Sequence, residues 1–147
     1  MIISLVFFLD RYSKIKIIAN LNENNLYIND FLNFNLVWNT GIGFGFFSTN
    51  SSLIYNFITG IICFVIIFLI YLIIKSKKTD KILFSLISGG ALGNVYDRLT
   101  YFAVPDFIDV HYKNFHWFTF NIADIFITIG ILILITKDLI LKDEKNK

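Results

Sequence analysis

The chain has 147 residues, 56% of them hydrophobic and 16% charged, with a net charge of +2 and a mean hydropathy of +0.66. Soluble domains carry about 25% charged residues, so this composition lacks what keeps a globular surface wet. The small net charge argues against nucleic acid as a partner, and the single cysteine, Cys63, excludes an intrachain disulfide framework and any multi-cysteine metal site.

The length suits one domain, residues 1–147, and about 20 apolar residues are needed for a helix to cross the hydrocarbon core. A first helix is expected over about residues 1–20. Only nine residues precede Asp10, about 14 Å of helix at 1.5 Å per residue. That is half a bilayer, so this helix enters the membrane thinly or its start is truncated. It has neither the basic start nor the small-residue cleavage site of a signal peptide, and reads as a retained helix. The segment at about 21–52 mixes Asn, Asp and aromatic residues. Within it, Leu26-Tyr-Ile and Asn33-Phe-Asn-Leu-Val-Trp alternate weakly between polar and apolar, which suggests short strands. Residues 53–74 carry no charge and form the clearest span, with Cys63 as a small hydrophobe inside it. A third helix is expected over about 82–99, ending in Asn94, Asp97 and Arg98. A second polar and aromatic segment follows at about 100–119. The fourth helix is expected over about 120–136, before a charged tail.

Lysine placement sets the orientation. The connection Lys75-Ser-Lys-Lys-Thr-Asp-Lys81 and the tail with Lys137, Lys142, Lys145 and Lys147 fall on one side of a four-span chain. That side is expected to be cytoplasmic, with both termini inside. Trp38, Trp117 and neighbouring aromatics suit the headgroup level on the other side. The expectation is an all-α membrane protein of four transmembrane helices with a small extracytoplasmic β-containing region.

On this topology the costly polar groups meet at the outer face: Asp10 and Lys14 of helix one, Asn39, then Asn94, Asp97 and Arg98, then Asp106 and Asp109, then Asn121 and Asp124. Ionisable residues at a membrane are expensive and mark function. Asn94, Arg98 and Gly90 share a helical face, while Gly89 and Gly93 form a small-residue face for close helix packing. Arg98 is expected to pair with a carboxylate, either Asp97 or Asp10. Asn121 and Asp124 open a helix, where an N-cap and a first-turn acid are cheap; capping alone does not account for their company. Pro105 fixes the backbone before Asp106 and biases Val104 to an extended shape, which puts Asp106 on a stiff non-helical segment. Asn39-Thr-Gly-Ile-Gly-Phe-Gly45 is glycine-rich but lacks the GK[ST] ending of a phosphate loop. Asp109 reads as a solvated loop acid. His111 and His116 are five apart, a loose spacing, and read as solvated outer-face residues, so no metal site is expected.

These residues form five ordered blocks that resemble the lipoprotein signal peptidases, the type II signal peptidases. Asp10-Arg-Tyr-Ser-Lys14 resembles D-x-x-[ST]-K. Asn39-Thr-Gly-Ile-Gly-Phe-Gly45 resembles N-x-G-x-[AG]-F-G. Gly89-Gly-Ala-Leu-Gly-Asn-Val-Tyr-Asp-Arg98 is similar to GGAxGNxxDR, Val104-Pro-Asp-Phe-Ile-Asp109 to VVDFxD, and Phe120-Asn-Ile-Ala-Asp124 to FNxAD. The resemblance departs at the short helix before Asp10, at Pro105 in place of an aliphatic residue, and at Gly43 where alanine is common.

The resemblance implies an intramembrane aspartic endopeptidase of the bacterial cytoplasmic (inner) membrane. Such an enzyme removes signal peptides from prolipoproteins by cleaving before the diacylglyceryl-modified cysteine. Its catalytic aspartates map onto Asp106 and Asp124, and its supporting residues onto Asp10, Asn39, Asn94, Arg98 and Asn121. Lipid-modified prolipoproteins and membrane lipids are the implied partners; no cofactor and no metal are expected. A small proton or ion pathway and a non-catalytic assembly subunit docking through the glycine face are the rival readings. The pathway is disfavoured because the polar groups do not continue across the membrane.

Overall fold

The structure, a computed structural model, describes residues 1–21, 25–41 and 51–145. Two strand pairs are set among four helices, one after the first helix and one before the last. They are α1 (Ile2–Asn20), β1 (Leu26–Asn29), β2 (Leu32–Asn39), α2 (Ser52–Lys75), α3 (Lys78–Tyr101), β3 (Val104–Tyr112), β4 (Phe115–Phe120) and α4 (Ile122–Lys145). The protein is mostly helical with one small antiparallel sheet, as the sequence led us to expect in outline. Both strand pairs follow the C-terminus of one helix and precede the N-terminus of the next, so the sheet caps one end of the helices. At the other end the α2–α3 connection lies near α4, where Lys137 forms an ion pair with Asp80.

The helices extend beyond their apolar stretches. α3 begins at Lys78 rather than near 82, and α4 runs to Lys145 rather than stopping near 136. Lysine and glutamate are good helix formers, so charge ends an apolar run without ending the helix. Among the described residues, α2 is the one helix long and apolar enough to cross a membrane on composition alone, with a mean hydropathy of 3.1. It buries Ile58, Ile66 and Leu69 and leaves Phe57, Phe64, Ile67 and Phe68 exposed.

α3 is the central helix, packed against α1, α2 and α4. Its glycines make this possible. A Cβ on Gly89 would lie 2.8 Å from Val6 Cβ, and one on Gly90 would lie 2.6 Å from the Ala123 carbonyl oxygen. Gly93 faces the Asp10 carboxylate in the same way. The expected small-residue face, Gly89 and Gly93, is therefore the seam where α1 closes on α3, and Gly90, on the Asn94 face, is where α4 does.

The sheet runs in the order β1-β2-β3-β4, each pair antiparallel. β1 and β2 match the two strands read from alternation. β3 and β4 do not appear in the sequence reading, and they correct it. Asp109 is no loop acid: it lies in β3 and is buried, as is His111, while His116 is exposed. The α3 helix ends at Phe102 in the left-handed region (φ 57), and extended Val104, ahead of Pro105, starts β3. Asp106 thus sits on the stiff non-helical segment expected of it.

Gly90→Ala should lower stability by about 1–3 kcal/mol through overpacking, read as a drop in the thermal midpoint in detergent. Gly60→Ala is the control. Nothing lies within 4 Å of its would-be Cβ, so it should leave stability unchanged or raise it by about 0.5–1 kcal/mol.

Candidate active site

Two carboxylates meet through the N-cap of α4. Asn121 precedes the helix, and its Oδ1 accepts from the Asp124 backbone N–H at 3.0 Å. The Asp124 carboxylate returns the contact, accepting from the Asn121 backbone N–H at 3.2 Å. This is a reciprocal capping box. The remaining group of the cap residue, Asn121 Nδ2, donates to Asp106 Oδ1 at 2.6 Å. One side chain therefore holds the helix start, Asp124 and Asp106 together. Asp106 has a second donor, Asn39 Nδ2 at 2.8 Å to Oδ2. The sheet explains it: Val37 pairs with Asp106 and Asn39 with Val104, so Asn39 is a diagonal neighbour on the same face. Asp124 Oδ1 accepts from Asn94 Nδ2 of α3 at 2.9 Å.

Both aspartates are buried, Asp106 at 2% and Asp124 at 6% exposure. Burial pushes the Asp106 carboxyl up to about 7, and the Asp124 charge beside it adds to the rise. The hydrogen bonds from Asn39 and Asn121 act the other way, favouring the ionised form.

Behind the pair lies a second layer built on Lys14. Its ammonium is wholly buried and spends its three donors on Asp10 Oδ2 (2.8 Å), Asn94 Oδ1 (2.8 Å) and Asp97 Oδ2 (2.7 Å). The other oxygen of Asp97 is held by Arg11. Asp10 Oδ1 accepts the Ala123 N–H at 3.0 Å, so an acid of α1 satisfies a donor in the first turn of α4. Asn94 joins the layers, accepting from Lys14 and donating to Asp124.

Arg98 departs from expectation. It pairs with neither Asp97 nor Asp10, because Arg11 and Lys14 occupy Asp97 and Lys14 occupies Asp10. Instead its guanidinium donates to the Gly41 carbonyl and lies 5.3 Å from the centre of the Tyr55 ring. Arg98 Nε and Nη1 have no hydrogen-bond partner among the described residues. Asp10, Asn39, Asn94, Asp106, Asn121 and Asp124 thus fall in one network, with Arg98 at its edge. Asp109, His111 and His116 lie apart from it. Gly43 and Gly45 of the glycine-rich segment lie outside the described residues. Arg11 went unrecognised in the sequence, and Lys14 and Asp97, placed in the polar cluster there, had been given no role in it. The Asp10–Lys14 spacing of four was the available signal, since it puts both on one helical face.

The family model described as signal peptidase (SPase) II matches residues 2–140. The chain belongs to the signal peptidase II family. Relatives called lipoprotein signal peptidase include one from Pelagibacter ubique (strain HTCC1062), 49% identical over 148 residues, covering 99% of this chain and 89% of the relative. Another, from Anaplasma phagocytophilum (strain HZ), is 36% identical over 151 residues, covering 99% and 94%. A solved structure of a bacterial membrane enzyme superposes with a TM-score of 0.79 at 33% identity, over 99% of this chain and 88% of that one. For a signal peptidase II the network is the natural candidate for the peptidase centre, since it brings together four buried carboxylates, Asp10, Asp97, Asp106 and Asp124, from three helices and a strand.

Lys14→Met should cost about 3–5 kcal/mol, because it strands Asp10 as a buried charge and leaves Asp97 with Arg11 alone. Adding Asp10→Asn to it should recover part of that loss, since an amide oxygen still accepts the Ala123 N–H. Thermal unfolding of the single and double variants in one detergent checks both.

Proposed function

We propose that the chain is a membrane-embedded aspartic endopeptidase that removes signal peptides from prolipoproteins by cleaving before a diacylglyceryl-modified cysteine. The observation that carries this reading is the bridging of Asp106 and Asp124 by the one side chain of Asn121. Charge counting supports it. The network holds four acids, Asp10, Asp97, Asp106 and Asp124, against three bases, Arg11, Lys14 and Arg98. A single proton on the acids brings the buried cluster to neutrality. Asp10 and Asp97 have cationic partners and Asp106 and Asp124 have amide partners, so the proton belongs to the latter pair.

A carboxyl–carboxylate pair with one proton is the equipment for peptide hydrolysis. The ionised member takes a proton from water as it attacks the scissile carbonyl. The protonated member donates to the carbonyl oxygen, and a proton then reaches the leaving amine. Asn39, Asn94 and Asn121 aim the carboxylate oxygens, and Asp10 and Arg98 complete their support. A groove lined by Phe120, Asp124, Ile125, Thr128 and Ile129 opens beside Asp124. Its apolar walls suit the lipid or the apolar side chains of a precursor.

The four helices are read as four spans of the bacterial inner membrane, with residues 1–147 as one peptidase domain. The lysine-rich end, with both termini, faces the cytoplasm, and the sheet and the dyad face outside. Lys137 meeting Asp80 supports a common side for the tail and the α2–α3 connection. An ion pathway fits less well. Toward the lysine-rich end the buried side chains of α1 and α3 are uncharged, Val6, Leu83, Ser85, Ile87 and Ser88, and α2 carries no charge before its terminal Lys75.

Asp106→Asn and Asp124→Asn should each abolish cleavage of a lipid-modified precursor peptide by the purified protein, with membrane insertion intact. Retained turnover by either variant would overturn the assignment. Cleavage should also fall as pH rises through about 7. An acid raised by burial keeps its proton below that value and loses it above, which leaves the pair doubly ionised. A rate that climbs steadily between about pH 6 and 9 would contradict a one-proton dyad.

A further inference from the structure

Asp109, His111 and His116 form a second cluster on the sheet, separate from the aspartate network. One ligand atom from each lies within 4.8 Å of the others. A spacing of five looked too loose for shared ligation, but the hairpin changes its meaning. β3 and β4 pair antiparallel with His111 directly opposite His116, and the two imidazoles stack with centres 5.1 Å apart. Asp109 and His111, two apart on one strand, face the same side. His116 Nδ1 contacts both Asp109 oxygens, at 3.0 and 2.8 Å.

Two further observations point to a ligand. His111 is nine-tenths buried, and its Nδ1 has no hydrogen-bond partner. Asn33 stands directly opposite Asp109 on β2, and its side-chain oxygen is also buried without a partner. Buried polar atoms are normally paired, so two such atoms beside one carboxylate ask for an explanation. An ion pair between Asp109 and His116 leaves both unexplained.

We propose that Asp109, His111 and His116 bind a divalent transition-metal ion of the zinc class. Two imidazoles and a carboxylate are a borderline-soft donor set that suits such an ion. A tetrahedral ion with bonds of about 2.0–2.1 Å needs ligand atoms about 3.3 Å apart. Rotation about the broad χ2 wells of the histidines brings the three closer at little cost. The fourth corner falls to water on the exposed side of His116 or to the Asn33 oxygen. The ion would clamp β3 to β4 three residues beyond Asp106.

The test uses the full chain, purified in detergent without a histidine tag, at about pH 7.5, where an ordinary imidazole is neutral. Cobalt(II) is titrated first, then displaced with zinc(II). The expected result is one equivalent of cobalt with the visible absorption of a low-coordinate site, zinc displacing it, and a zinc-dependent rise in thermal midpoint. His116→Ala, at an exposed position, and His111→Gln should each weaken zinc binding by at least about tenfold. Both should lose the zinc-dependent rise while keeping the near-UV circular dichroism of the unsubstituted chain. Two outcomes overturn the proposal: an unsubstituted chain that binds zinc no more tightly than the variant carrying both His111→Gln and His116→Ala, or stoichiometric zinc binding kept by that double variant. If either single variant fails to fold, the other together with the cobalt spectrum of the unsubstituted chain decides.

Discussion

Lys14 carries a positive charge with no access to water, and each of its three N–H donors ends on a different side chain. Two of those acceptors, Asn94 and Asp97, are on α3, and the third, Asp10, passes the connection on to the first turn of α4. A buried ammonium tolerates almost no displacement, because any acceptor that moves away leaves charge unmatched in a medium of low dielectric. The ammonium therefore fixes the rotation and the height of α1 and α4 on α3. The glycines at 89, 90 and 93 are the steric side of the same constraint: the helices must be close enough for one lysine to reach all its acceptors.

The dyad inherits its geometry from that arrangement. Asp124 is placed by the helix start that Asp10 helps to cap, and its free oxygen is aimed by Asn94, which is itself held by Lys14. Asp106 comes from a different kind of element, a strand whose neighbour β2 supplies Asn39. Asn121 reconciles the two, using its oxygen for the helix and its nitrogen for the strand. An aspartate in its place would have the oxygen and no N–H to donate.

Much of this was legible in the sequence, and for identifiable reasons. The uncharged run of α2 and the glycine face of α3 depend on composition and local spacing alone. Asp106 was placed on a stiff strand-like segment by Pro105. Polar residues drawn together by topology needed only the order of the spans. What escaped was pairing. Arg98 follows Asp97 directly on α3, whereas Arg11 comes from α1, and only the packing of α1 on α3 decides that Arg11 takes it. The β3–β4 hairpin escaped as well. Its turn, Lys113-Asn114, has no glycine, although Lys113 adopts a left-handed conformation (φ 55). Without the hairpin, Asp109 and the two histidines looked like separate surface residues.

The groove beside Asp124 is formed largely by one face of α4, through Asp124, Ile125, Thr128 and Ile129. It runs along the flank of a helix, with Phe120 at the end of β4 as its one contribution from the sheet. For a substrate held in the same bilayer by its acyl chains, this geometry makes encounter a search in two dimensions. Its concentration is then a mole fraction of lipid. Dilution of the aqueous volume leaves the encounter rate untouched, while expansion of the membrane area slows it.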